Sequence, residues 1–396
     1  MSDFRITCEK LDQAVSILQE KDVDLWVTFV RETTQVSDPC LALLLGFDLT
    51  WTSALMLSRQ GERLAIVGRF DKENVARVGG YTTVIGYDQS IREPLREHVT
   101  RLDPHQIALN FSENDPAADG LTHGMYHVLQ DLLAGTKYLN RFVSAEGVIA
   151  ALRGRKSPTE VARIRSSVEA AEAIFRHVGS RIRPGLTERE VAACFQKAAS
   201  EQGLGLGWGA DHCPTLTAGP QSALGHAMPS DIVLQPGHLL QADFGVENNG
   251  FVSDLQRTWY LLDEGETDPP AAVLTAWEAA RGALEAGREA LRPGARGWEV
   301  DRAARDALNS AGYPEYMHAF GHHIGRTVHD GATVLGPRWE RYGHSVEGEI
   351  EAGNVFAIEL GIAVPGYGYI GCEEDVLVTP EGADFLCEPQ ATLWCI

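Results

Sequence analysis

Three absences narrow the chain before any motif is read. No apolar run approaches the ~20 residues that a membrane-spanning helix needs; Cys40-Leu41-Ala42-Leu43-Leu44-Leu45 is far too short. The start, Met1-Ser2-Asp3-Phe4-Arg5, lacks the apolar stretch of a secretory signal, so the cytoplasm is the expected compartment. Basic residues are scarce: 34 Lys and Arg stand against 55 Asp and Glu, a net charge of −21. That balance argues against nucleic acid or an anionic membrane as partner, and part of it is available to hold cations. Cysteine is also thin. The 7 residues Cys8, Cys40, Cys194, Cys213, Cys372, Cys387 and Cys395 are odd in number and scattered, without a Cys-x-x-Cys, so neither a disulfide framework nor a zinc finger is implied.

What is present is a globular chain of 396 residues, 44% hydrophobic, long enough for two domains. Up to about residue 150, helical and strand-like stretches alternate. Leu11–Glu20 reads as helix and Val23–Val30 as strand. Further strand-like runs are Ala54–Leu57, Arg63–Val67, Tyr81–Tyr87 and Gln106–Phe111, with helical patterns near 91–101 and 121–134. This predicts an α/β domain with a mixed sheet. No glycine-rich phosphate loop follows any of its strands, and a supporting or oligomerising role is expected. Arg153-Gly154-Arg155-Lys156-Ser157-Pro158-Thr159-Glu160 is a polar joint in which Ser157 or Thr159 can cap the next helix. The domains are therefore drawn as 1–153 and 154–396.

The second domain carries an internal repeat. Arg183-Pro184-Gly185, Glu190-Val191 and Gly203 recur at one fixed displacement as Arg292-Pro293-Gly294, Glu299-Val300 and Gly312. Further on, Gly237, Asp243 and Gly245 match Gly353, Glu359 and Gly361. Two copies of helix, helix and β-hairpin are expected, related by a pseudo-twofold axis. The first hairpin lies within His238–Tyr260, with its turn at Asn248-Asn249 or Asn249-Gly250. The first turn sets Asp243 opposite Asp254; the second sets them one diagonal step apart on the same face. Glu359 and Glu373 hold the corresponding places in the second hairpin, Asn354–Val364 and Ile370–Thr379. Like charges brought together this way call for a cation between them.

Between the hairpins, His318-Ala319-Phe320-Gly321-His322-His323-Ile324-Gly325-Arg326-Thr327-Val328-His329 holds four histidines. Carboxylates with imidazole and no thiolate suit Mn²⁺, Co²⁺, Fe²⁺ or Zn²⁺ better than a structural zinc. Four carboxylates exceed the charge of one divalent ion, so a two-metal site is the natural fit. Such a pair lowers the pKa of a shared water and yields a hydroxide able to attack a carbonyl.

The order Asp243, Asp254, His322 within Gly-His-x-x-Gly, Glu359, and Glu373 opening Glu-Glu-Asp-Val-Leu-Val-Thr resembles the pita-bread metallopeptidases of family M24: methionine aminopeptidase, aminopeptidase P and prolidase. The likeness spans nearly the whole chain, since residues 1–150 resemble the creatinase-type N-terminal domain of the prolidase and aminopeptidase P branch. It implies a metallo-exopeptidase acting on dipeptides or short peptides, Xaa-Pro among them. The cofactor would be two divalent ions per chain, manganese first, with cobalt or zinc as alternatives. The resemblance makes Asp243 a ligand of one ion, Asp254 a bridge, His322 and Glu359 ligands of the other ion, and Glu373 a second bridge. Glu359 would also take the proton of the attacking water. His226 and His329 match the family's substrate histidines, which stabilise the tetrahedral intermediate, and His318 matches a third pocket histidine. His323 matches no family role and reads as a supporting or surface residue. A homodimer through the N-terminal domain is also implied.

Departures from the family pattern fall on substrate preference. Leu360 stands where proline-peptide members usually have Pro, Gly371 where many have Arg, and Ala319-Phe320 replaces a Gly and a small aliphatic residue. Arg338 and Arg341, in Pro337–Gly343, are candidates for a clamp on a free C-terminal carboxylate, although not at the prolidase spacing. Two other readings share the fold: a metal-free, creatinase-like amidinohydrolase and a non-catalytic scaffold that binds proteins. Both would be expected to have lost metal ligands, and all five are present.

Overall fold

The computed structural model describes residues 4–225 and 227–396. It forms two compact units, the first ending at Arg153 and the second spanning Gly154–Ile396. The first unit is a six-stranded mixed sheet in the order Thr83–Tyr87, Arg63–Gly68, Ser53–Ser58, Leu25–Val30, Ile107–Leu109, Phe142–Ser144. Leu25–Val30 is buried along its whole length, because helices cover both faces of the sheet. Its side chains alternate between two cores. Trp26 and Val30 pack with Leu11, Ala14 and Leu18 of helix Arg5–Glu20. Leu25, Val27 and Phe29 pack with Leu95 and Val99 of helix Arg92–Leu102 and with Leu129 of helix His123–Leu132. Sequence patterning misses the short helices Leu41–Leu44 and Lys72–Val78, which hold too few turns to display a period.

The second unit is built on a sheet whose main path runs Gly321–His323, Val355–Val364, Gly368–Val378, Leu255–Tyr260, Leu239–Phe244, Thr215–Ala218. Its plan is symmetrical. Each copy of the repeat supplies a hairpin and one outer strand, and the copies meet where Gln256 pairs antiparallel with Glu373. The repeated Arg-Pro-Gly turns behave alike. Gly185 and Gly294 adopt φ of 93° and 86°, open to glycine without steric cost, and their N–H groups donate to Leu234 and Ile350. Each turn leads into a helix, Glu188–Glu201 or Gly297–Ser310, whose third residue, Glu190 or Glu299, accepts from the backbone N–H at the helix start. At the polar joint, Ser157 rather than Thr159 caps the helix Pro158–Gly179, and Glu160 completes the capping box.

Period-two alternation then divides the second hairpin between two faces. Phe356, Ile358, Leu360 and Ile362 enter a core with Val273, Ala276, Trp277 and Ala280 of helix Ala271–Ala290. Leu360, the departure from the usual proline, belongs to this apolar face. The opposite face carries Asp243, Gln256, Glu359 and Glu373.

Candidate active site

The site is a short patch of one sheet face, and the ladder registers specify it. One row runs Thr215, Asp243, Gln256, Glu373, Glu359, each directly opposite the next. Two residues along the strands, on the same face, His322 lies opposite Ala357 and Ala357 opposite Asp375. Asp254 is two residues before Gln256 and shares that face. Carboxylates and an imidazole distant in sequence thus converge on one face, with Asp254 at the break just before its strand.

Of the two turns expected for the first hairpin, the structure has the second. Asn249 and Gly250 take φ of 54° and 79°, with Asn248 paired to Phe251, as a two-residue hairpin turn requires. Asp243 therefore faces Gln256, and Asp254 is one diagonal step away. Gly245 lets the strands approach there, since a Cβ on it would lie 1.9 Å from the Ser253 carbonyl oxygen. In the second hairpin Glu359 faces Glu373 directly. The run Glu373-Glu374-Asp375 is sorted by alternation. Glu374 points to the far side, 3.0 Å from Arg257 and 3.1 Å from Arg281, while Asp375 accepts from the Asp254 N–H at 3.1 Å.

The tightest cluster is Asp254, His322 and Glu373, with one ligand atom from each lying within 4.8 Å of the others. His322 Nε2 is 3.8 Å from Asp254 Oδ2 and 3.9 Å from Glu373 Oε1. Burial pushes Asp243 up to about 7, and burial with the Asp243 charge pushes Glu359 up to about 8. Asp254 is driven well above the carboxylate range by burial and the Asp243 charge, and Glu373 by burial and the Asp254 charge. His322 is held down to about 3 by burial and by His329, so it is neutral and its lone pair is free to ligate. Asp243 Oδ1, Asp254 Oδ1, Glu373 Oε2 and Asp375 Oδ1 are buried without a hydrogen-bond donor. Oxygens left this way are costly unless something positive fills the gap. This donor set, four clustered carboxylates and one neutral imidazole, fits divalent cations.

Beside the acids lies a cavity of about 320 Å³, lined among others by Asp243, Glu359, His318, Tyr316, Tyr369 and Leu224. His329 is exposed, its ring edge-on to His322 with centroids 4.5 Å apart. Asp330, the residue after it, is anchored by Lys156 of the polar joint at 2.7 Å, and both side chains are buried. His226 lies outside the described residues. His323 is buried against the Phe356 ring at 4.0 Å, so of its two expected readings the surface one does not hold.

Neither Arg338 nor Arg341 is among the residues lining the cavity. Arg338 gives both arms of its fork to Glu347, at 2.6 and 2.9 Å, and stacks on Trp298. Arg341 donates to the Met317 carbonyl and lies over Trp339 and Tyr342. One guanidinium is thus engaged by a neighbouring carboxylate, the other by the backbone of Met317. Arg305 does similar work there, donating to the carbonyls of Tyr316 and His318 while Asp301 holds its other edge.

The family description "Metallopeptidase family M24" matches residues 162–380. The chain belongs to that family. An Xaa-Pro dipeptidase of Lactobacillus helveticus is 30% identical over 266 residues, 67% of either chain. Among solved structures, dipeptidase PepE of Mycobacterium ulcerans is 27% identical with a TM-score of 0.75, covering 100% of this chain and 99% of its own. An Xaa-Pro dipeptidase of Bacillus anthracis is 24% identical with the same TM-score of 0.75, covering 98% and 100%; at that identity it shows a shared pita-bread fold.

Sequence reading overlooks several residues of this M24 peptidase site. Gln256 and Asp375 carried a usable signal, since each lies two residues beyond a named acid on a strand and so shares its face. Tyr316 and Tyr369 carried none. Nor did Lys156, whose partner is far off in sequence and is set by the tertiary fold.

Proposed function

We propose that this M24 peptidase is a dinuclear-metal exopeptidase that hydrolyses the N-terminal peptide bond of dipeptides or short peptides, with Xaa-Pro dipeptides as first candidates. The observation that carries the reading is the cluster of buried carboxylates around His322, in which one oxygen each of Asp243, Asp254 and Glu373 lacks a donor. Asp243, Asp254, His322, Glu359 and Glu373 would hold the ions, with Asp254 and Glu373 shared between them. Bound there, two divalent ions offset the acids' charge, polarise a carbonyl and acidify a water.

The chain's own residues supply the rest. Glu359 borders the cavity and is held at Oε2 by Gln256, 3.1 Å away, so it is placed to accept the proton of the attacking water. His329 and His226 contact the scissile peptide and stabilise the tetrahedral intermediate. The Lys156–Asp330 pair fixes the segment that carries His329. His318 and the two tyrosines bound the space for the substrate side chain. The Xaa-Pro preference is carried over from the Lactobacillus helveticus relative. The unit ending at Arg153 acts as a creatinase-type support through which two copies pair, and the enzyme works in the cytoplasm, with manganese as first candidate metal.

The test combines metal content with turnover. Purified protein is expected to carry about two transition-metal ions per chain, as a two-metal site requires. It should lose activity on Xaa-Pro dipeptides to a chelator and regain it with Mn²⁺, Co²⁺ or Zn²⁺. Undiminished turnover after complete metal removal would sink the dinuclear reading. A panel with other residues in place of proline, and with amidated dipeptides, decides the substrate.

A further inference from the structure

At the centre of the acid row stands a neutral residue. Gln256 is flanked by Asp243 on one strand and Glu373 on the other, where the two copies of the repeat meet. It is 7% exposed. Its Nε2 donates to Glu359 Oε2 at 3.1 Å, and its Oε1 accepts from Gln241 Nε2 at 2.9 Å. An amide can turn either edge toward a neighbour. The Glu359 carboxylate, an acceptor, takes the nitrogen edge, and the oxygen edge then faces Gln241, which turns its own N–H to it.

The space for this arrangement comes from Gly371. A Cβ at 371 would lie 2.2 Å from Gln256 Oε1 and 2.9 Å from Gln241 Cγ. The backbone of Gly371 does not adopt a left-handed conformation, so room for the two amides is what the position needs. Gly371 sits two residues before Glu373 on the same face, and its own N–H and carbonyl are engaged by Thr258. The three positions therefore form one unit: a glycine that makes room, an amide that orients, and an amide that delivers an N–H to Glu359.

We propose that Gln256 is a positioning residue which, oriented by Gln241 in the space left by Gly371, occupies Glu359 Oε2 and leaves Oε1 as the oxygen that meets cation and proton. This rests on the metallopeptidase reading for what Glu359 does, and on the hydrogen bonds and the glycine for how it is held. A neutral donor suits the place. It holds a carboxylate among carboxylates without forming an ion pair that would compete with a divalent ion for the same charge.

The test is a double-mutant cycle on the full-length protein with Gln256→Ala, Gly371→Ala and the pair together. Each is titrated with Mn²⁺ by calorimetry and assayed at saturating Mn²⁺. Loss of an outer partner of a metal ligand typically costs ~10–100-fold in metal affinity or activity, and Gln256→Ala is expected within that range, in kcat rather than KM. Gly371→Ala should give a loss of similar size, since its methyl displaces the mobile end of Gln256 and crowds Gln241, the other amide of the unit. The double variant should be no worse than the worse of the two single ones, because both changes act through one pair of amides. Wild-type Mn²⁺ affinity and kcat in Gln256→Ala would overturn the proposal, and so would losses that simply add in the pair. The same non-additivity is expected in the Tm of metal-free protein. A wild type that binds none of Mn²⁺, Co²⁺ and Zn²⁺ would thus sink the dinuclear-metal reading, while the amide unit would stand or fall on the Tm cycle.

Discussion

The two hairpins of the M24 unit are alike in strand order and unlike at the point of contact. In the second, Glu359 and Glu373 face each other across regular pairing. In the first, Asp243 faces Gln256 instead, and the second aspartate is a diagonal step away beside Gly245, where a side chain would strike the Ser253 carbonyl. The shorter acid sits on the displaced hairpin and the longer acid on the regular one. Duplication therefore fixes which strands carry the acids, while local register and side-chain length adjust where the oxygens end up. In the second half the histidine segment is tied down by the Lys156–Asp330 pair.

The largest expected effect would break the symmetry at the two acids proposed as bridges. Asp254 and Glu373 come from different hairpins and meet at His322. Asp254→Asn and Glu373→Gln should each lower turnover by more than the ~10–100-fold typical of an outer partner and reduce bound metal, with the fold retained. Turnover and metal content, measured together, check this. If one variant keeps both ions and most activity, the hairpins do not share the site equally and the bridging assignment for that residue is wrong.

Much of this was legible in the sequence because strands make face and spacing predictable. The repeat, both hairpins and the acids that converge follow from period-two alternation and from glycines that recur in step. The register of the first hairpin was less legible: Asn248-Asn249 and Asn249-Gly250 are both acceptable turns, and pairing along the rest of the hairpin decides between them. Contacts to backbone or across the fold were not legible. Arg338 and Arg341 read as free guanidinia near a rim, yet Glu347 and the Met317 carbonyl already hold them. Lys156 read as part of a polar linker and proves to be a buried anchor.

A smaller effect sharpens the equivalence of Asp243 and Glu359, which take matching places in the two hairpins. Metal-free, both are pushed up, from 3.8 to about 7 and from 4.5 to about 8. Between pH of about 4.5 and 8 the folded protein therefore retains protons that the unfolded chain has released. Where the native state binds more protons, stability falls as pH rises. A tenfold difference in proton affinity between folded and unfolded chain corresponds to ~1.4 kcal/mol, so metal-free protein should lose a few kcal/mol from pH 5 to 8. Protein loaded with Mn²⁺ should not, because the ions displace those protons. Urea unfolding at both pH values, with chelator or with Mn²⁺, makes the comparison. Metal-free protein equally stable at pH 8 and pH 5 would show that these acids are not buried as described.

The smallest expected effect concerns the rim segment Pro337–Gly343. A clamp on a substrate carboxylate needs a guanidinium with its fork open toward the cavity. Arg338 instead turns its fork to Glu347 and its face to the Trp298 ring, with its side chain 55% exposed. For a substrate to recruit it, the carboxylate would have to displace Glu347, which forms the same bidentate pair and is already in place. Arg338→Ala should therefore change kcat/KM on an Xaa-Pro dipeptide by less than about twofold, as expected for a surface substitution away from the chemistry. The ratio of rates on the free and amidated dipeptide should be unchanged. Arg341→Ala should do more, because its guanidinium holds the Met317 carbonyl and Met317 lines the cavity, but it should slow both substrates alike. A loss confined to the free dipeptide in either variant would mean that the rim swings inward when substrate binds. The arginine concerned would then be the residue that recognises a free C-terminus.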